Sequence, residues 1–305
     1  MRWIVSISLV CLCTVCGLAQ QRPVQSLYMF DPLLINPAYA GNHVQLSATS
    51  IYRNQWLNLE GAPKTFSASI HSGFFKSKMG LGLIATNDRI GIHNDVGLYG
   101  VYSYKIKLTQ NGILSFGVQG GFNNLKSDYN QLNLKNLNDP KLNGIVSRFS
   151  PNIGAGVFYR QKDIFGGISV PQLIENSTLI TETATLTSQQ RYYYIFAGIN
   201  KKVATNFRWI SSTLVRLQDN APLSFDLNVT GVVYETVGLG VSYRLNEGFV
   251  GMFELQINEN FHVGYAYDYT TSELNKFSNG SHEIMVNYRV KIMRLHRGLP
   301  CPTYW

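Results

Sequence analysis

At 305 residues the chain is long enough for one large domain or two ordinary ones, yet charged residues make up only 14% of it, against roughly 25% in soluble domains. So thin a charged skin argues against an ordinary soluble surface and fits one that meets lipid, while a mean hydropathy near zero argues against a bundle of membrane helices. The formal charge of +8 is spread over isolated Lys and Arg residues, without the basic patch a nucleic-acid partner needs.

The chain opens M-R-W-I-V-S-I-S-L-V-C-L-C-T-V-C-G-L-A-Q. Arg2 supplies a positive start, residues 3–16 an apolar core, and Gly17 and Ala19 the small residues before a cut after Ala19. Residues 1–19 therefore read as a secretory signal peptide. Three of the four cysteines fall inside it, leaving Cys301 alone in the mature chain, with no disulfide framework and no Cys-based metal site. No later run of about 18 apolar residues could span a bilayer as a helix.

Residues 20–43 form a separate N-terminal segment. Within it D-P-L-L-I-N-P-A-Y-A-G, residues 31–41, has two prolines and a closing glycine that forbid a regular element, while Leu33, Leu34, Ile35 and Tyr39 need burial. Such a segment suits a place in a lumen or at a periplasmic rim.

From residue 44 onward apolar and polar residues alternate, the period of a two-faced strand. Val44, Leu46, Ala48 and Tyr52 share one face. Phe66, Ala68 and Ile70 alternate with Thr65, Ser67, Ser69 and His71. In P-L-S-F-D-L-N-V-T-G-V-V-Y, Leu223, Phe225, Leu227 and Val229 oppose Ser224, Asp226, Asn228 and Thr230. Near the end Ile284, Val286, Tyr288, Val290 and Ile292 oppose Glu283, Asn287, Arg289 and Lys291. About fourteen strands are expected, at 44–53, 64–74, 78–88, 94–108, 111–124, 151–161, 163–170, 191–200, 206–217, 222–234, 236–246, 248–257, 260–270 and 282–291. Most run to the length that crosses a bilayer when tilted.

The connections sort by parity. With the N-terminus periplasmic, the even connections, built around F-K-S, T-Q, K-D, V-A-T-N, E-T and E-N, are short. Among the odd ones 54–63, 89–93, 125–150, 171–190 and 271–281 are longer, and those near Asp219 and Glu247 break the trend. Short turns on one side and longer loops on the other mark an outer-membrane barrel. The fold class is thus all-β: a transmembrane antiparallel β-barrel over residues 44–292, with a tail at 293–305. A lumen of fourteen strands is too wide for side chains to fill, so it is wet or plugged and the oily faces turn outward. Tyr52, Tyr104, Tyr159, Tyr234, Tyr243 and Tyr269 sit at strand ends, where interfacial girdles form.

Chemistry-bearing motifs are sparse. The G-x-G pairs Gly80/Gly82 and Gly238/Gly240 lack the third glycine and helix of a dinucleotide site and read as close packing on one strand face. The six histidines have no short ligand spacing, and Asp128, Asp139 and Asp163 lie in different connections. Neither a catalytic site nor a cofactor or metal is expected.

Two stretches stand outside the alternation: N-P-A-Y-A-G, with Asn36, Pro37, Tyr39 and Gly41, and Y-R-N-Q-W followed by G-A-P-K-T-F, with Arg53, Gln55, Trp56, Gly61 and Pro63. These are the candidate partner-contact residues; rim packing and an interfacial anchor are the simpler reading of Arg53, Gln55 and Trp56. Together with M-G-L-G at 79–82 and Cys301-Pro302, they make the chain strongly resemble the PorP/SprF family of type IX secretion system outer-membrane proteins. The resemblance implies an outer-membrane location, no enzymatic activity, and a role in export or surface anchoring of large adhesins such as those used in gliding. It implies as partners an adhesin with a type IX C-terminal sorting domain, other type IX components and outer-membrane lipid. A general diffusion channel is the alternative: Arg208, Arg216, Arg289 and Lys291 on an open wet face would favour anions.

Overall fold

The computed structural model describes residues 25–43, 45–74, 77–131, 144–181, 184–189, 191–219, 221–245, 247–271 and 276–290. The expected signal peptide at 1–19 and the expected tail at 293–305 lie outside them. Fourteen antiparallel strands close into one barrel. They are β1 (Leu46–Asn54), β2 (Lys64–Phe74), β3 (Met79–Ile90), β4 (His93–Lys107), β5 (Gly112–Asp128), β6 (Ile145–Gln161), β7 (Ile164–Val170) and, after a separate hairpin β8 (Asn176–Thr181) and β9 (Ala184–Gln189), β10 (Tyr192–Ala204), β11 (Phe207–Gln218), β12 (Ser224–Val233), β13 (Val237–Arg244), β14 (Gly248–Gln256), β15 (Phe261–Thr270) and β16 (Ser281–Val290). Each barrel strand pairs with its chain neighbours, β7 passing to β10, and β1 pairs with β16 from Leu46↔Val290 to Asn54↔His282. Closure gives every barrel strand a partner on both sides, which a bilayer requires.

The alternation turns oily sides outward. On β12 Asp226 and Asn228 are 0% and 1% exposed, whereas Leu227 is 45% exposed. Leu83, Val118, Ile168, Leu239, Val241 and Ile284 are likewise exposed, on five different strands. That apolar belt is the surface hydrocarbon covers. Tyr52, Tyr243 and Tyr269 stand near one end of the strands and Tyr104, Tyr159 and Tyr234 near the other, all exposed except the half-buried Tyr159.

Three expectations need correction. The connection at 89–93 shrinks to the turn 91–92, because β3 and β4 pair through Ile90↔His93. The stretch 125–150 is not all loop: β5 and β6 pair out to Asp128↔Ile145, since an antiparallel ladder can continue past the belt without any apolar face. The stretch 171–190, also expected as loop, contains β8–β9, a hairpin bonded only to itself. The loop asymmetry remains. One end carries the short connections between β2 and β3, with a turn at 77–78, and at 108–111, 162–163, 205–206, 234–236 and 257–260; the other carries the long connections. By that asymmetry the short-turn end is periplasmic and the long-loop end is the outer one.

Candidate functional site: a lumen filled by the N-terminal segment

Residues 25–43 run through the barrel interior. Pro32 and Pro37 each begin a single 3₁₀ turn, Pro32–Leu34 and Pro37–Tyr39, after a first turn at Tyr28–Phe30. Proline suits this first position because its missing N–H would have no partner there. Asn36 caps the third turn by accepting from the N–H of Ala38 at 2.9 Å. Three short turns separated by breakers give an irregular, compact stretch of chain rather than a helix, one that runs inside the lumen from the outer end towards the periplasmic end. The apolar residues of the segment become the dry centre of the molecule. Leu27, Leu33, Ala38 and Ala40 are fully buried. They pack with inward-facing Ile51, Ile84, Phe158, Phe196, Ile210 and Leu214 in one hydrophobic cluster. Full burial of a large apolar side chain contributes about 1.5–3 kcal/mol. The lining is therefore not wholly hydrophilic: where the plug touches it, the wall carries apolar side chains on its inner face.

The outer end of the plug is held by charge. The N–H groups of Ser26 and Leu27 both donate to the Glu283 carboxylate at 2.7 Å. Arg53 donates to Ser26 Oγ at 2.7 Å and pairs with Glu283 at 3.0 Å and Asp268 at 2.8 Å. Arg244 continues the chain to Asp268 and Asp226, both at 3.2 Å, and Arg216 reaches Asp226 at 3.5 Å. Glu247 joins from the outer turn, 3.1 Å from Arg244 and 3.4 Å from Arg216. Three guanidinium groups thus face four carboxylates. Arg53 and Glu283 are also direct register partners across the β1–β16 seam, so one ion pair serves both barrel closure and plug docking.

The inner end is held by shape. A Cβ at Gly117 would overlap the backbone nitrogen of Ala38, one at Gly80 the carbonyl of Ala40, and one at Gly156 the side-chain amide of Asn36. These wall glycines let the turn Pro37–Tyr39 lie against the sheet. Hydrogen bonds then fix it. Asn36 Nδ2 donates to the Val157 carbonyl at 3.0 Å, Ser169 Oγ to the Ile35 carbonyl at 2.6 Å, and Ser103 Oγ to the Ala40 carbonyl at 2.7 Å. Lys105 donates to the carbonyl of Gly41. Gly41, at φ +61, gives its N–H to His71 Nδ1 at 3.1 Å. Tyr39 sits edge-on to His43, His71 and Phe158. Between the two ends Ser69 Oγ donates to Asp31 at 2.5 Å, and Asn228 Nδ2 to Tyr28 Oη at 2.7 Å. Burial raises the Asp31 carboxyl to about 6, opposed by its bonds to Ser69 and the Leu33 N–H and by nearby Arg289. Burial, then the cations Arg289, Arg160 and Lys105 together with His71, hold the His43 imidazole well below its ordinary range.

The candidate residues divide between these places. Asn36, Pro37, Tyr39 and Gly41 lie in the plug, and Arg53 faces it from β1, all buried. Gln55, Trp56, Gly61 and Pro63 stay at the outer rim. There the Gln55 N–H meets the Pro63 carbonyl at 3.0 Å, the Trp56 N–H meets Ser281 Oγ at 3.1 Å, and the Gly61 carbonyl accepts from Gly91 at 2.9 Å. Glu283, Asp268, Arg244 and the glycines at 117 and 156 were not picked out by sequence reasoning. A charged residue on the inner face of a strand, or a glycine in a bilayer-length strand, was the available signal. Among the described residues no three His, Cys, Asp or Glu side chains converge as metal ligands.

A closed fourteen-stranded antiparallel barrel with an apolar exterior and a lumen filled by its own N-terminal segment is an outer-membrane β-barrel. The chain belongs to the family of type IX secretion system membrane proteins PorP/SprF, which matches residues 17–288. Among solved structures it is similar to the CymD monoaromatic hydrocarbon channel, with 12% identity, 92% of this chain and 97% of that one covered, and a TM-score of 0.54. It is also similar to the outer-membrane protein Omp33 of Acinetobacter baumannii, with 10% identity, coverage of 82% and 100%, and a TM-score of 0.45. At such identities the likeness to CymD concerns the fold alone. No curated protein matches the chain.

Proposed function

We propose that the protein is a non-enzymatic outer-membrane component of the type IX secretion system that supports export, surface anchoring, or both, of large adhesins of the gliding type. It reaches the outer membrane by the signal peptide at 1–19. Its partners are an adhesin bearing a type IX C-terminal sorting domain and other secretion components, with outer-membrane lipid around the belt. The observation that carries this reading is the plug. A lumen occupied by buried residues 25–43 suits a protein that holds partners at its ends better than one that passes solutes. Of the candidate residues, Gln55, Trp56 and Gly61 at the outer rim are those a partner can touch, while Asn36, Pro37, Tyr39, Gly41, Arg53 and Pro63 set the shape they rest on.

The experiment is deletion of the gene with assay of the cell-surface fraction for adhesins carrying the sorting domain, beside planar-bilayer recording of the pure protein. Loss of surface adhesin and a silent bilayer are the expected pair. Unchanged display together with steady open conductance would overturn the proposal and support the diffusion-channel alternative.

A further inference from the structure

The barrel wall has a gap at its outer end. β6 spans Ile145–Gln161, but β7 spans only Ile164–Val170, and the ladder between them stops at Ala155↔Val170. Above that point the chain after β7 adds one backbone bond, from the Leu173 N–H to the Ile153 carbonyl at 2.8 Å. It then leaves to form β8–β9, which pairs only with itself. On its other side β6 stays paired with β5, without a bulge, as far as Asp128↔Ile145. Residues 145–151 are therefore a strand with one partner and one open edge.

Alternation aims the backbone groups of that edge. At Ile153 the carbonyl meets Leu173 and the N–H meets Asn152 Oδ1 at 2.9 Å, so both point away from β5. Bonded and non-bonded positions alternate along an antiparallel strand. The backbone groups of Pro151, Phe149, Ser147 and Ile145 therefore point the same way. Among the described residues none bonds the N–H or C=O of Ile145, Ser147 or Phe149 on that side. The missing N–H of Pro151 falls on the free side too, where a ladder tolerates proline. Proteins usually blunt such edges with charge, a bulge or a covering loop. Here the outward side chains include Ile145 and Phe149, 54% and 62% exposed, and the Phe149 ring lies 4.7 Å from that of Phe122 on β5. The charge within 145–151 is Arg148, half-buried on the opposite face.

We propose that residues 145–151 are a rail onto which an extended segment of another protein adds as an antiparallel strand. Main-chain bonds to Ile145, Ser147 and Phe149 supply affinity, as strand addition does at other open sheet edges. Side chains supply selection: apolar residues lie beside Ile145 and Phe149, and an acidic residue lies beside Arg148. A second copy does not fit. Barrels in one membrane stand the same way up, so its β6 runs in the same sense and cannot pair antiparallel with this one. Such a rail serves a partner on the outer side whatever the secretory role.

The test uses the purified full chain in detergent micelles and a capped peptide of alternating Val and Thr, about ten residues long, with one central Glu. Comparator peptides carry Lys in place of Glu, or inner prolines that prevent strand pairing. In the free protein, residue-resolved hydrogen exchange should be fast at Ile145, Ser147 and Phe149 and slow at Val146, Arg148 and Ser150, whose N–H groups face β5. The Glu peptide should bind with a Kd below about 1 mM and slow the first three amides; the proline peptide should do neither. Ser147→Pro removes an N–H that has no ladder partner, so it should leave strand content by circular dichroism unchanged and weaken binding at least about tenfold. Arg148→Glu should reverse the preference between the Glu and Lys peptides. Slow exchange at Ile145, Ser147 and Phe149 in the free protein, no saturation by the Glu peptide up to about 5 mM, or equal binding by Ser147→Pro overturns the proposal. So does a peptide-free dimer that Ser147→Pro dissociates, which would assign the edge to a second copy. An unchanged preference in Arg148→Glu overturns the acidic selection.

Discussion

The two ends of the plug are held by different physics. At the outer end Glu283, Arg53, Asp268, Arg244 and Asp226 form a buried chain of ion pairs around the backbone of Ser26 and Leu27. At the inner end the backbone of Asn36 to Gly41 lies where Gly80, Gly117 and Gly156 have no side chains. Charge tolerates small shifts but not the loss of a partner; shape tolerates loss of a hydrogen bond but not an added methyl group. The outer clasp is also part of the barrel seam, because Arg53 and Glu283 face each other between the first and last strands. The inner seat involves β3, β5 and β6, away from the seam. Weakening the clasp should therefore loosen barrel and plug together, whereas blocking the seat should displace the plug from an intact barrel.

The largest effect is expected at Glu283. Glu283→Ala removes the acceptor of two backbone N–H groups and leaves Arg53 with Asp268 as its remaining acid. Breaking a buried ion pair by removing one partner costs about 3–5 kcal/mol. Urea unfolding in detergent measures the loss, and Glu283→Gln should restore part of it by keeping an acceptor oxygen. A change under about 0.5 kcal/mol in the alanine variant would mean that the clasp contributes no more than an exposed surface pair. The alanine variant should also make the segment before Asp31 open to protease, since its outer anchor is gone, and the glutamine variant should do so less.

The seat is tested at Gly117. Gly117→Val places carbon where the Ala38 backbone lies, and overpacking of this kind costs about 1–3 kcal/mol. Gly120→Val on the same strand is the control, because a Cβ there meets nothing within 4 Å. The first variant should conduct in a planar bilayer and keep the wild-type unfolding midpoint of the barrel to within the plug's own contribution. The second should stay silent. Equal behaviour of the two would show that the plug does not depend on the missing side chains.

The barrel was legible in the sequence because lipid on one side and polar contacts on the other impose a strict period of two, and loops of sorted length then fix which end is which. Hence β12 could be read from Leu223, Leu227, Ser224 and Asp226 alone. The plug was half legible. Two prolines, a glycine and apolar Leu33 and Tyr39 demanded burial without a regular element, which left lumen and rim as equal choices. What decides between them is contact with residues far away in the chain: Glu283 is 257 positions from Ser26, and Val157 is 121 from Asn36. Periodicity carries no information about such pairings. Nor did it separate Gly117, which admits the plug, from Gly120, which meets nothing. For the same reason β8–β9 and the outer parts of β5 and β6 went unread. Beyond the belt the lipid no longer enforces alternation, and only backbone pairing marks the strand.

The smallest effect concerns pH, where the two titratable groups of the plug oppose each other. Burial raises Asp31 from 3.8 to about 6. A carboxyl raised in the docked state contributes stability that is fully present below pH 3.8 and is lost as pH rises through about 6. His43 has the reverse sign. Burial, with Arg289, Arg160 and Lys105 close by, keeps it neutral well below 6.5, so docking is favoured above pH 6.5 and weakens as pH falls beneath it. Between about pH 6.5 and 4 the two trends offset, and the wild-type protein should show a shallow dependence of plug protection on pH. Asp31→Asn keeps an oxygen to accept from Ser69 but removes the buried charge. At pH 7.5 it should stabilise the docked plug by about 1–2 kcal/mol, and below pH 6.5 it should expose the His43 trend as a steady loss. His43→Gln should do the opposite, with docking that tightens as the pH is lowered through 6. Hydrogen exchange of the backbone amides from Leu27 to Asn42 across that range reads both. If the two variants follow the same pH curve as the wild type, neither group changes its protonation when the plug leaves its seat, and the buried positions of Asp31 and His43 must persist in the released state.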